Sequence, residues 1–502
     1  MIPKKKNPRV LIVTPEVTYL PDRMGNLANF LTAKAGGLAD VSAALVSALF
    51  HQGADVHVAL PDYRAIFKDR LSPFLRKERR LLRQVMPNDR VHLAEDRAFF
   101  YLNRVYSSYG GENTRIALAF QREVINNIIP RVEPDLIHCN DWMTGLIPAM
   151  AREMGIPCLF TIHNIHTVAA TLAHIEDRGI DAAAFWNHLY YTAYADSYEK
   201  AREAIPVDFL VSGVFAAHFV NTVSKHFLEE IITGRHAIVG HHLHNELANK
   251  VEAGCATGIL NAPDPVFSPQ TDDYLPVNYG PDDPVPAKRK NKLAFQKMLG
   301  LVVDEDAPMF LWPSRLDPVQ KGCQLLADIF YQVISNYWDH NLQVVFVADG
   351  EYQHVFRNIV NHHGFHKRVA VCDFSERLEH IGYGAADFVL MPSRFEPCGL
   401  PQMICQLYGG LPVAHDTGGL HDTITNFDGE GTGSGFLFET YDAAGLKWAV
   451  DRSMDFYRLP EKTKARNISR IMRHAEETFT HDVNAREYID LYEKMLERPI
   501  FH

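Results

Sequence analysis

The segment from Lys34 to Gly37 brings a lysine and two adjacent glycines to the start of an apolar-periodic stretch. Glycines in front of a helix expose backbone N–H groups, and the helix dipole adds positive potential at the same end. Because Lys34 adds a full positive charge beside Gly36 and Gly37, the pattern favours anion binding. An ordinary glycine-containing turn with a solvated lysine is the alternative interpretation, since short motifs match by chance often.

A second cationic segment lies in the other half of the chain. Arg315 and Lys321 stand between an apolar run, "PMFLW", and the helical pattern that starts at "CQLL". A guanidinium binds phosphate oxygens in a bidentate manner, and an ammonium acts as a compact point charge. The two residues would therefore suit a diphosphate leaving group, and an exposed basic loop is the alternative.

The segment "RFEPCGL" places an acidic residue, a cysteine and a glycine directly after the apolar run "DFVLMPS". Glu396 could accept hydrogen bonds from sugar hydroxyls or stabilise a cationic sugar, while the amides of Gly399 and Leu400 could hold phosphate. The alternatives are a structural pairing of Glu396 with Arg394 and a small buried residue at Cys398, which is favoured for the cysteine. A similar loop-to-helix element follows some twenty residues later and could contact the ligand or simply form a tight turn: Thr417, Gly418 and Gly419.

Polar and aromatic residues also follow strand-like runs in the first half of the chain. "IHCNDWMTG" carries Asp141 and Trp142, and "LFTIHNIH" carries His163. Hydrogen bonding by the histidine and aspartate and packing by the tryptophan could grip a sugar. A lone histidine of this kind is more often structural.

Metal binding is not expected. The histidine-rich segment "GRHAIVGHHLHNE" lacks HExxH spacing, and the neighbouring aspartate pairs lie in a proline-rich stretch. The sequence therefore predicts no metal and no other cofactor.

Parallel β-sheets must position these residues. Short apolar runs bounded by polar turns alternate with helical patterns, which predicts α/β domains whose strands are buried on both faces. A proline- and aspartate-rich stretch from about 262 to 290 divides the runs into two groups, and we place the domain boundary near residue 265. The expected organisation is two Rossmann-like, doubly wound domains facing a deep cleft, spanning 1–265 and 266–480. Residues 481–502, with the amphipathic "EYIDLYEKMLER", are expected to form a closing helix that packs back on the first domain.

Composition limits the classes of protein and partner. The 502-residue chain is 47% hydrophobic and has a formal net charge of -11, which suits a multidomain globular protein and argues against nucleic acid as a partner. Its seven cysteines are odd in number and mostly lie in apolar segments, as is typical of reduced thiols in the cytoplasm. No apolar stretch is long enough to cross a bilayer, so the sequence predicts neither a membrane span nor a signal peptide.

Taken in order, several segments resemble the bacterial glycogen synthases and plant starch synthases. They cover about residues 9 to 445 and read "KAGGLADV", "NDWMTGLIPA", "TIHN", "NTVSKHFLEEI", "GILNAPDPVFSPQTDDYLPVNY", "NKLAFQKMLGL", "SRLDPVQKG", "ADFVLMPSRFEPCGLPQ" and "TGGLHDT". This resemblance implies a retaining glucosyltransferase of the two-domain GT-B type. Its donor would be a nucleotide-diphosphate glucose, with ADP-glucose favoured and UDP-glucose left open, and its acceptor the non-reducing end of an α-1,4-glucan.

The resemblance also implies roles for individual residues at the donor. Lys34, Gly36 and Gly37 would approach its diphosphate and glucose, and Arg315 and Lys321 would neutralise the leaving diphosphate. The remaining residues assigned to the donor by the resemblance are Glu396 near the glucose, Cys398, Gly399 and Leu400 in the sugar- and phosphate-binding loop, Phe374 where the family usually has a tyrosine near the base, and Thr417, Gly418 and Gly419.

Catalytic and acceptor residues are assigned by the same resemblance. His163 and Asp141 match the histidine and aspartate that position donor and acceptor at the reacting carbon, and Asp141, Trp142 and Asn261 would contact the acceptor. Because the family retains the anomeric configuration, the acceptor hydroxyl would attack from the face that the diphosphate leaves. No protein nucleophile is then required.

Two departures from the family pattern keep other functions open. Ala35 stands where the family has threonine, and "IHTVAATLAHIEDRG" follows "TIHN" where the family commonly has Tyr-Gln-Gly. One alternative is a glucosyltransferase of the same fold that acts on a small acceptor. Another is a catalytically idle sensor of nucleotide sugars or glucan. The sequence does not indicate an oligomeric state.

Overall fold

The computed structural model describes residues 7–25, 28, 31–69, 90–107, 109, 111–236, 239–428 and 431–501. The chain divides into two compact units. Unit 1 consists of Met1–Asn261 and His481–His502, and unit 2 consists of Ala262–Thr480. The chain thus passes from unit 1 to unit 2 between Asn261 and Ala262, four residues before the boundary placed near residue 265 from the sequence.

Unit 1 is built on a parallel sheet with the strand order β3-β2-β1-β4-β5-β8-β9. A separate antiparallel pair is formed by β6 and β7. The strands are β1 Arg9–Val13, β2 Asp55–Pro61, β3 Val91–Ala94, β4 Leu136–Asn140, β5 Cys158–Ile162, β6 Ala169–Ala170, β7 Val207–Asp208, β8 Phe219–Thr222 and β9 Ala256–Gly258.

Helices of unit 1 connect these strands in the described part of the chain. They are α1 Gly37–His51, α2 Arg97–Phe100, α3 Glu112–Glu123, α4 Ile129–Val132, α5 Ile147–Glu153, α6 Leu172–Asp177, α7 Tyr198–Ala204, α8 Phe209–Ala216, α9 Lys225–Ile232 and α10 His241–Glu252, with a π-helical turn at Val124–Ile128 and 3-10 turns at Ile66–Asp69, Trp142–Thr144, Ala182–Ala184 and Trp186–His188. Every residue of β4 and β5 is buried, because both faces of a parallel sheet are covered by crossover helices.

Unit 2 repeats the architecture with the parallel strand order β12-β11-β10-β13-β14-β15. Its strands are β10 Met309–Trp312, β11 Gln343–Val347, β12 Val369–Cys372, β13 Phe388–Met391, β14 Leu411–His415 and β15 Phe436–Phe438. Its helices are α11 Pro284–Leu299, α12 Cys323–Asn336, α13 Gln353–His363, α14 Glu376–Ala385, α15 Pro401–Leu407, α16 Gly418–Thr423, α17 Ala443–Tyr457 and α18 Glu461–Thr478, with a 3-10 turn at Trp338–His340. Both units are therefore doubly wound α/β domains.

The stretch from 262 to 290 is only partly the irregular linker that its composition predicts. Helix α11 already begins at Pro284, since proline is tolerated in the first turn, where its missing N–H has no helical partner. Upstream of it, Asp272 is buried and its carboxylate accepts hydrogen bonds from His380 Nδ1 and the Tyr408 hydroxyl. These contacts fix the stretch to unit 2.

The final helix, α19 His481–Leu496, belongs to unit 1. Two of its tyrosines are buried there and satisfy polar groups of the sheet. The Tyr488 hydroxyl accepts a hydrogen bond from Asn221 Nδ2 at 3.0 Å, and the Tyr492 hydroxyl lies 2.7 Å from His138 Nδ1. The last element of the chain therefore completes the core of the first domain.

Within the described residues, no helix has both the length and the apolar character required to span a bilayer.

Candidate active site

The candidate residues of unit 1 follow the carboxyl ends of three adjacent strands. Glu16 follows β1, Asp141 follows β4 and His163 follows β5. The strand order reverses between β1 and β4, so the helices that follow these strands lie on opposite faces of the sheet. In open α/β sheets such a reversal creates the crevice where ligands bind.

The lysine-glycine segment forms a loop before α1, as the sequence predicts. The helix begins at Gly37, and both Gly36 and Gly37 are exposed. Glu16, which the sequence analysis did not single out, accepts hydrogen bonds from Ala35 N at 2.6 Å and Gly36 N at 3.0 Å. A carboxylate of the chain itself therefore holds two of the amides expected to face an anion.

Glu16 is buried, and its environment opposes ionisation. Desolvation raises the pKa of its carboxyl, and the hydrogen bonds from Ala35 and Gly36 offset part of that effect. The Tyr106 hydroxyl donates a further hydrogen bond at 3.1 Å. The loop before α1 is thus held by hydrogen bonds to a buried acidic side chain.

Lys34 lies at the exposed side of this loop. Its Nζ is 2.9 Å from Asp40 Oδ2, and 52% of its side chain is exposed. Thr18 Oγ1 also donates to Asp40, which fixes the carboxylate near the start of α1. The ammonium is therefore held near the helix N-terminus while remaining accessible to an anion.

Asp141 occupies an unusual backbone conformation at the end of β4. Its φ is 59°, in the left-handed region, and its side chain is buried. Oδ1 accepts hydrogen bonds from His163 N at 2.7 Å and Asn164 N at 3.4 Å, and Oδ2 accepts from Asn164 Nδ2 at 2.9 Å. Burial raises the pKa of the carboxyl to about 7 in spite of these bonds, and nearby Glu16 adds to the increase.

His163 is positioned by the neighbouring strand. Asn140 Nδ2 donates to Val13 O at 3.2 Å, so the Asn140 side-chain oxygen faces His163 Nε2, 3.0 Å away. An amide oxygen only accepts, and this contact therefore assigns the ring hydrogen to Nε2. Desolvation lowers the pKa of the partly exposed ring to about 3. The neutral ring then offers Nδ1 as its acceptor.

The two other acceptor residues expected in unit 1 are buried. Only 3% of Trp142 is exposed, and its ring meets His166 edge-on with centroids 5.3 Å apart. A sugar cannot stack on a ring packed in this way, so the expected sugar contact of Trp142 does not fit the structure, and His166 is the exposed ring at this position. Asn261 is also buried and is the last residue of unit 1 before the chain enters unit 2.

The central contact in unit 2 is an ion pair. Lys321 Nζ lies 2.6 Å from Glu396 Oε2, and the Ser393 hydroxyl donates to the same oxygen at 3.0 Å. Both charged side chains are largely buried. Glu396 therefore pairs with Lys321, whereas the sequence analysis weighed Arg394 as its structural partner.

Backbone contacts hold the loops after β10, β13 and β14 together. Arg394 N donates to Gln320 O at 2.7 Å, and Gly419 N donates to Glu396 O at 3.0 Å. A Cβ atom at Gly419 would lie 2.0 Å from Cys398 O, which only glycine allows. This close approach fixes the position of one glycine loop against the other.

The remaining expected donor residues of unit 2 differ in accessibility. Arg315 is exposed on the loop after β10, and 51% of Phe374 is exposed after β12. Gly399 and Leu400 are partly exposed before α15. Buried members of the set are Cys398, which fits the small buried residue favoured for it, and Thr417, Gly418 and Gly419 at the start of α16.

Each unit offers groups whose chemistry suits a different part of a group-transfer reaction. Unit 1 offers an exposed ammonium, a neutral imidazole and a carboxyl whose pKa is near 7. Unit 2 offers Arg315 and a Lys321–Glu396 pair beside glycine-rich turns. Such cations can stabilise a leaving diphosphate, and such a carboxylate can hold sugar hydroxyls.

Comparisons with known proteins match the two parts of the chain to two different family models. Residues 9–249 match the family described as "Starch synthase catalytic domain", and residues 307–455 match "Glycosyl transferases group 1". Glycogen synthase from Bacillus licheniformis is 32% identical, over 92% of this chain and 96% of its own length. Glycogen synthase from Moorella thermoacetica is also 32% identical, over 98% of this chain and 97% of its own length.

Solved structures extend the similarity to the fold. The catalytic domain of starch synthase IV from Arabidopsis thaliana, bound to ADP and acarbose, superposes with a TM-score of 0.78 at 25% identity, covering 98% of this chain and 100% of that one. Sucrose-phosphate synthase from Thermosynechococcus elongatus shares the fold with a TM-score of 0.57 at 17% identity, covering 98% and 99%. These neighbours are glycosyltransferases of the GT-B type.

Proposed function

The chain belongs to the family of glycogen and starch synthases, glycosyltransferases that transfer glucose to a glucan, and from that premise we propose a specific donor and mechanism. The donor is ADP-glucose, and glucose is added with retention of configuration to the non-reducing end of an α-1,4-glucan. Support for the nucleotide comes from the starch synthase IV structure, whose bound ligands are ADP and acarbose. None of the seven cysteines, all of which lie in the described part of the chain, forms a disulfide, and this supports a cytoplasmic location.

The observation that carries the proposal is the buried pair of Lys321 and Glu396, with Nζ and Oε2 2.6 Å apart. A buried ion pair contributes little net stability on its own, so its presence in a loop beyond a strand end favours a role in binding. Lys321 and exposed Arg315 stabilise the negative charge that develops on the diphosphate as the glycosyl bond breaks. Glu396 accepts hydrogen bonds from the donor glucose.

The loops that follow Glu396 complete the donor contacts of unit 2. The backbone amides of Gly399 and Leu400, two partly exposed residues, bind the sugar and phosphate, and the exposed Phe374 packs near the base. Cys398, Thr417, Gly418 and Gly419 are buried and hold these loops at the required separation.

In unit 1, Lys34 binds the donor diphosphate with the exposed start of α1. The Glu16 carboxylate occupies the Ala35 and Gly36 amides, so the contribution of this loop to phosphate binding comes from the Lys34 ammonium and the helix N-terminus at Gly37. Asp40 keeps the ammonium near that N-terminus.

His163 and Asp141 position the reacting carbon. Because His163 is neutral and protonated on Nε2, its Nδ1 accepts a hydrogen bond from a sugar hydroxyl. Asp141 holds the His163 backbone through its own carboxylate, and Asn261 contributes to the acceptor side. The acceptor hydroxyl attacks from the face that the diphosphate leaves, and a phosphate oxygen takes its proton.

The experiment is transfer of radiolabelled glucose to glycogen, with ADP-glucose and UDP-glucose offered separately. We expect incorporation from ADP-glucose to exceed incorporation from UDP-glucose. A preference for UDP-glucose would overturn the donor assignment while leaving the glucan synthase activity intact.

A small acceptor is a second candidate, because the segment after His163 departs from the family pattern. In this protein it leads through exposed Asn164 and His166 into the strand β6 Ala169–Ala170. Transfer to glucose or maltose without transfer to glycogen would favour this candidate. Nucleotide-sugar binding without transfer to either acceptor would favour a sensor.

A further inference from the structure

Unit 2 contains a cavity away from the donor loops, which are the loops that follow its strands and carry Lys321 and Glu396. The cavity has a volume of about 630 Å³, and residues of α11, of α18 and of the starts of β13 and β14 line it. We name it the lysine cavity after the basic side chains in its wall: Lys288, Arg289, Lys292 and Lys464.

Two of the four cations in the wall have acidic partners. Lys292 Nζ lies 2.7 Å from Asp387 Oδ2. Arg289 Nη2 lies 3.2 Å from Glu461 Oε1 and 3.8 Å from Asp306 Oδ1. These three carboxylates also line the cavity, and they offset the charges of Lys292 and Arg289.

The other two cations contact only backbone carbonyl groups. Lys288 Nζ donates to Tyr408 O at 2.8 Å and to Tyr383 O at 3.4 Å. Lys464 Nζ donates to Tyr457 O at 2.9 Å. Among the residues that the structure describes, no carboxylate forms an ion pair with Lys288 or Lys464. Carbonyl oxygens satisfy N–H groups but carry no net charge, so both ammonium charges lack a counter-charge in direct contact.

Burial makes this arrangement of charges unfavourable. Only 5% of Lys288 is exposed, and desolvation lowers the pKa of its ammonium to about 8. Desolvation also lowers the pKa of Lys464, and neighbouring Lys292 and Arg289 add to the decrease. Asp387 offsets part of the effect at both lysines. An anion in the cavity would supply the missing counter-charge.

The chemistry of the wall suits a phosphate group. An ammonium has three N–H donors, so Lys288 and Lys464 keep donors for acceptor oxygens beyond the carbonyl groups that they contact. Glu305, the remaining acidic residue of the wall, is exposed, and solvent screens its charge. The volume lies in the range of small-molecule sites, and an organic group attached to the phosphate would contact the apolar part of the wall at Val285 and Phe456.

The lysine cavity lies at the opposite end of the sheet from the donor loops. Phe388 and Leu411, the first residues of β13 and β14, line the cavity, whereas Glu396 and Gly419 follow these two strands. Strands of four and five residues span about 13–17 Å. A ligand in the cavity is therefore distinct from the sugar donor.

We propose that the lysine cavity binds the phosphate group of a small metabolite, at a site separate from that of the donor. The ligand would bridge Lys288 on α11 and Lys464 on α18, which are the first and the last helix of unit 2. Binding would therefore hold the two ends of this domain together and stabilise its folded state.

The test is calorimetric titration of the full chain with inorganic phosphate at constant ionic strength. We expect Lys288→Met and Lys464→Met each to raise the Kd for phosphate at least about tenfold, because each removes a charged hydrogen-bond donor. Lys290→Met is the matched control. Lys290 is exposed on the same helix, so the substitution changes the net charge equally and should leave the Kd unchanged.

The source of the phosphate group is identified by the same titration with glycerol 3-phosphate. Tighter binding than that of inorganic phosphate would assign the site to a phosphate monoester, and equal binding would assign it to free phosphate.

Lys464→Met keeps the test decisive if the buried Lys288→Met fails to fold, because Lys464 is partly exposed. Equal Kd values for Lys464→Met and the wild type would overturn the proposal, as would absence of phosphate binding by the wild type. A Kd that rises in Lys321→Ala but not in Lys464→Met would place the phosphate at the donor loops and would also overturn it. Glucose transfer is not measured in these titrations, so their outcome is independent of the proposed function.

Discussion

Units 1 and 2 place ionisable groups beyond the carboxyl ends of parallel strands, but the two units treat charge differently. In unit 1, burial raises the pKa of Asp141 to about 7 and lowers the pKa of His163 to about 3, so the neutral form of each group is favoured. In unit 2, Lys321 and Glu396 are also largely buried, yet they form an ion pair of 2.6 Å. The difference is the presence of a partner of opposite charge.

This contrast suggests that the buried groups of the two units have different chemical roles. A neutral imidazole and a carboxyl near its titration point can orient and accept hydrogen bonds without attracting counterions. A paired ammonium and carboxylate can exchange their mutual contact for contacts with phosphate and sugar when a donor binds. The buried groups of unit 1 thus suit positioning of neutral hydroxyls, and the buried ion pair of unit 2 suits the charged leaving group.

The largest effect is expected when one member of the Lys321–Glu396 ion pair in unit 2 is removed. We expect Lys321→Ala and Glu396→Ala each to lower turnover by at least about a hundredfold, the effect of losing a transition-state electrostatic contact. Steady-state glucose transfer to glycogen measures this. Lys447→Ala, which breaks the more exposed pair with Asp451 on α17, is the control and should leave turnover unchanged. Near-normal turnover in both site variants would contradict the assigned roles.

A second prediction concerns the backbone that supports the pair. Gly419→Ala would place a Cβ 2.0 Å from Cys398 O, and the resulting backbone displacement should destabilise unit 2 by about 2–3 kcal/mol. The urea midpoint of unfolding measures the loss. Gly36→Ala in unit 1 is the matched control for stability, because its Cβ would meet no atom within 4 Å. Equal midpoints for the two variants would show that the loops of unit 2 can separate without strain.

Because burial opposes the ionisation of Asp141 in unit 1, the free energy of unfolding should depend on pH. The folded-state pKa of Asp141, about 7, exceeds its ordinary value of 3.8, so its contribution to stability is full below pH 3.8 and is lost as pH rises through 7. Between pH 5 and pH 8 the free energy of unfolding of the wild type should fall by about 2–3 kcal/mol relative to that of Asp141→Asn. Chemical unfolding of both proteins at the two pH values tests this, and parallel curves would exclude a buried titrating Asp141.

The smallest effect is expected for the exposed pair of unit 1. Asp40→Asn removes the partner of Lys34 at 2.9 Å, and because Lys34 is half exposed, stability should fall by less than about 1 kcal/mol. The same urea experiment checks it. Because the amide oxygen of asparagine can still accept the hydrogen bond from Thr18, a larger loss would show that the charge of Asp40 itself stabilises the first turn of α1.

The sequence predicted the central strands well because each is buried on both faces and appears as an apolar run. The runs around β1, β4, β10 and β13 are examples, and all of them are strands. Five strands do not appear as such runs: β3, β9 and β15 lie at sheet edges and have four residues or fewer, and β6 and β7 form a separate pair of two residues each. An edge strand pairs on one side only, so it needs no long apolar run.

The sequence predicted which chemical groups form the candidate site, but it did not predict which of these side chains contact one another. Lys34, Lys321 and Glu396 stand out by type and by position after apolar runs. Glu16 and Ser393 do not stand out in this way. Glu16 binds the amide of Ala35, which is distant in sequence, and Ser393 donates to Glu396 within the same loop. The burial of Trp142 could not be predicted either, since local sequence does not show which way a ring faces.

The return of α19 to unit 1 has a consequence for biosynthesis. Tyr488 and Tyr492 complete the hydrogen bonding of Asn221 and His138, but they leave the ribosome only after all of unit 2 has been made. The domain whose synthesis begins first is therefore the last to be finished. A fragment ending at residue 261 would lack this helix, whereas a circular permutant that fuses 481–496 ahead of β1 would supply it from the start.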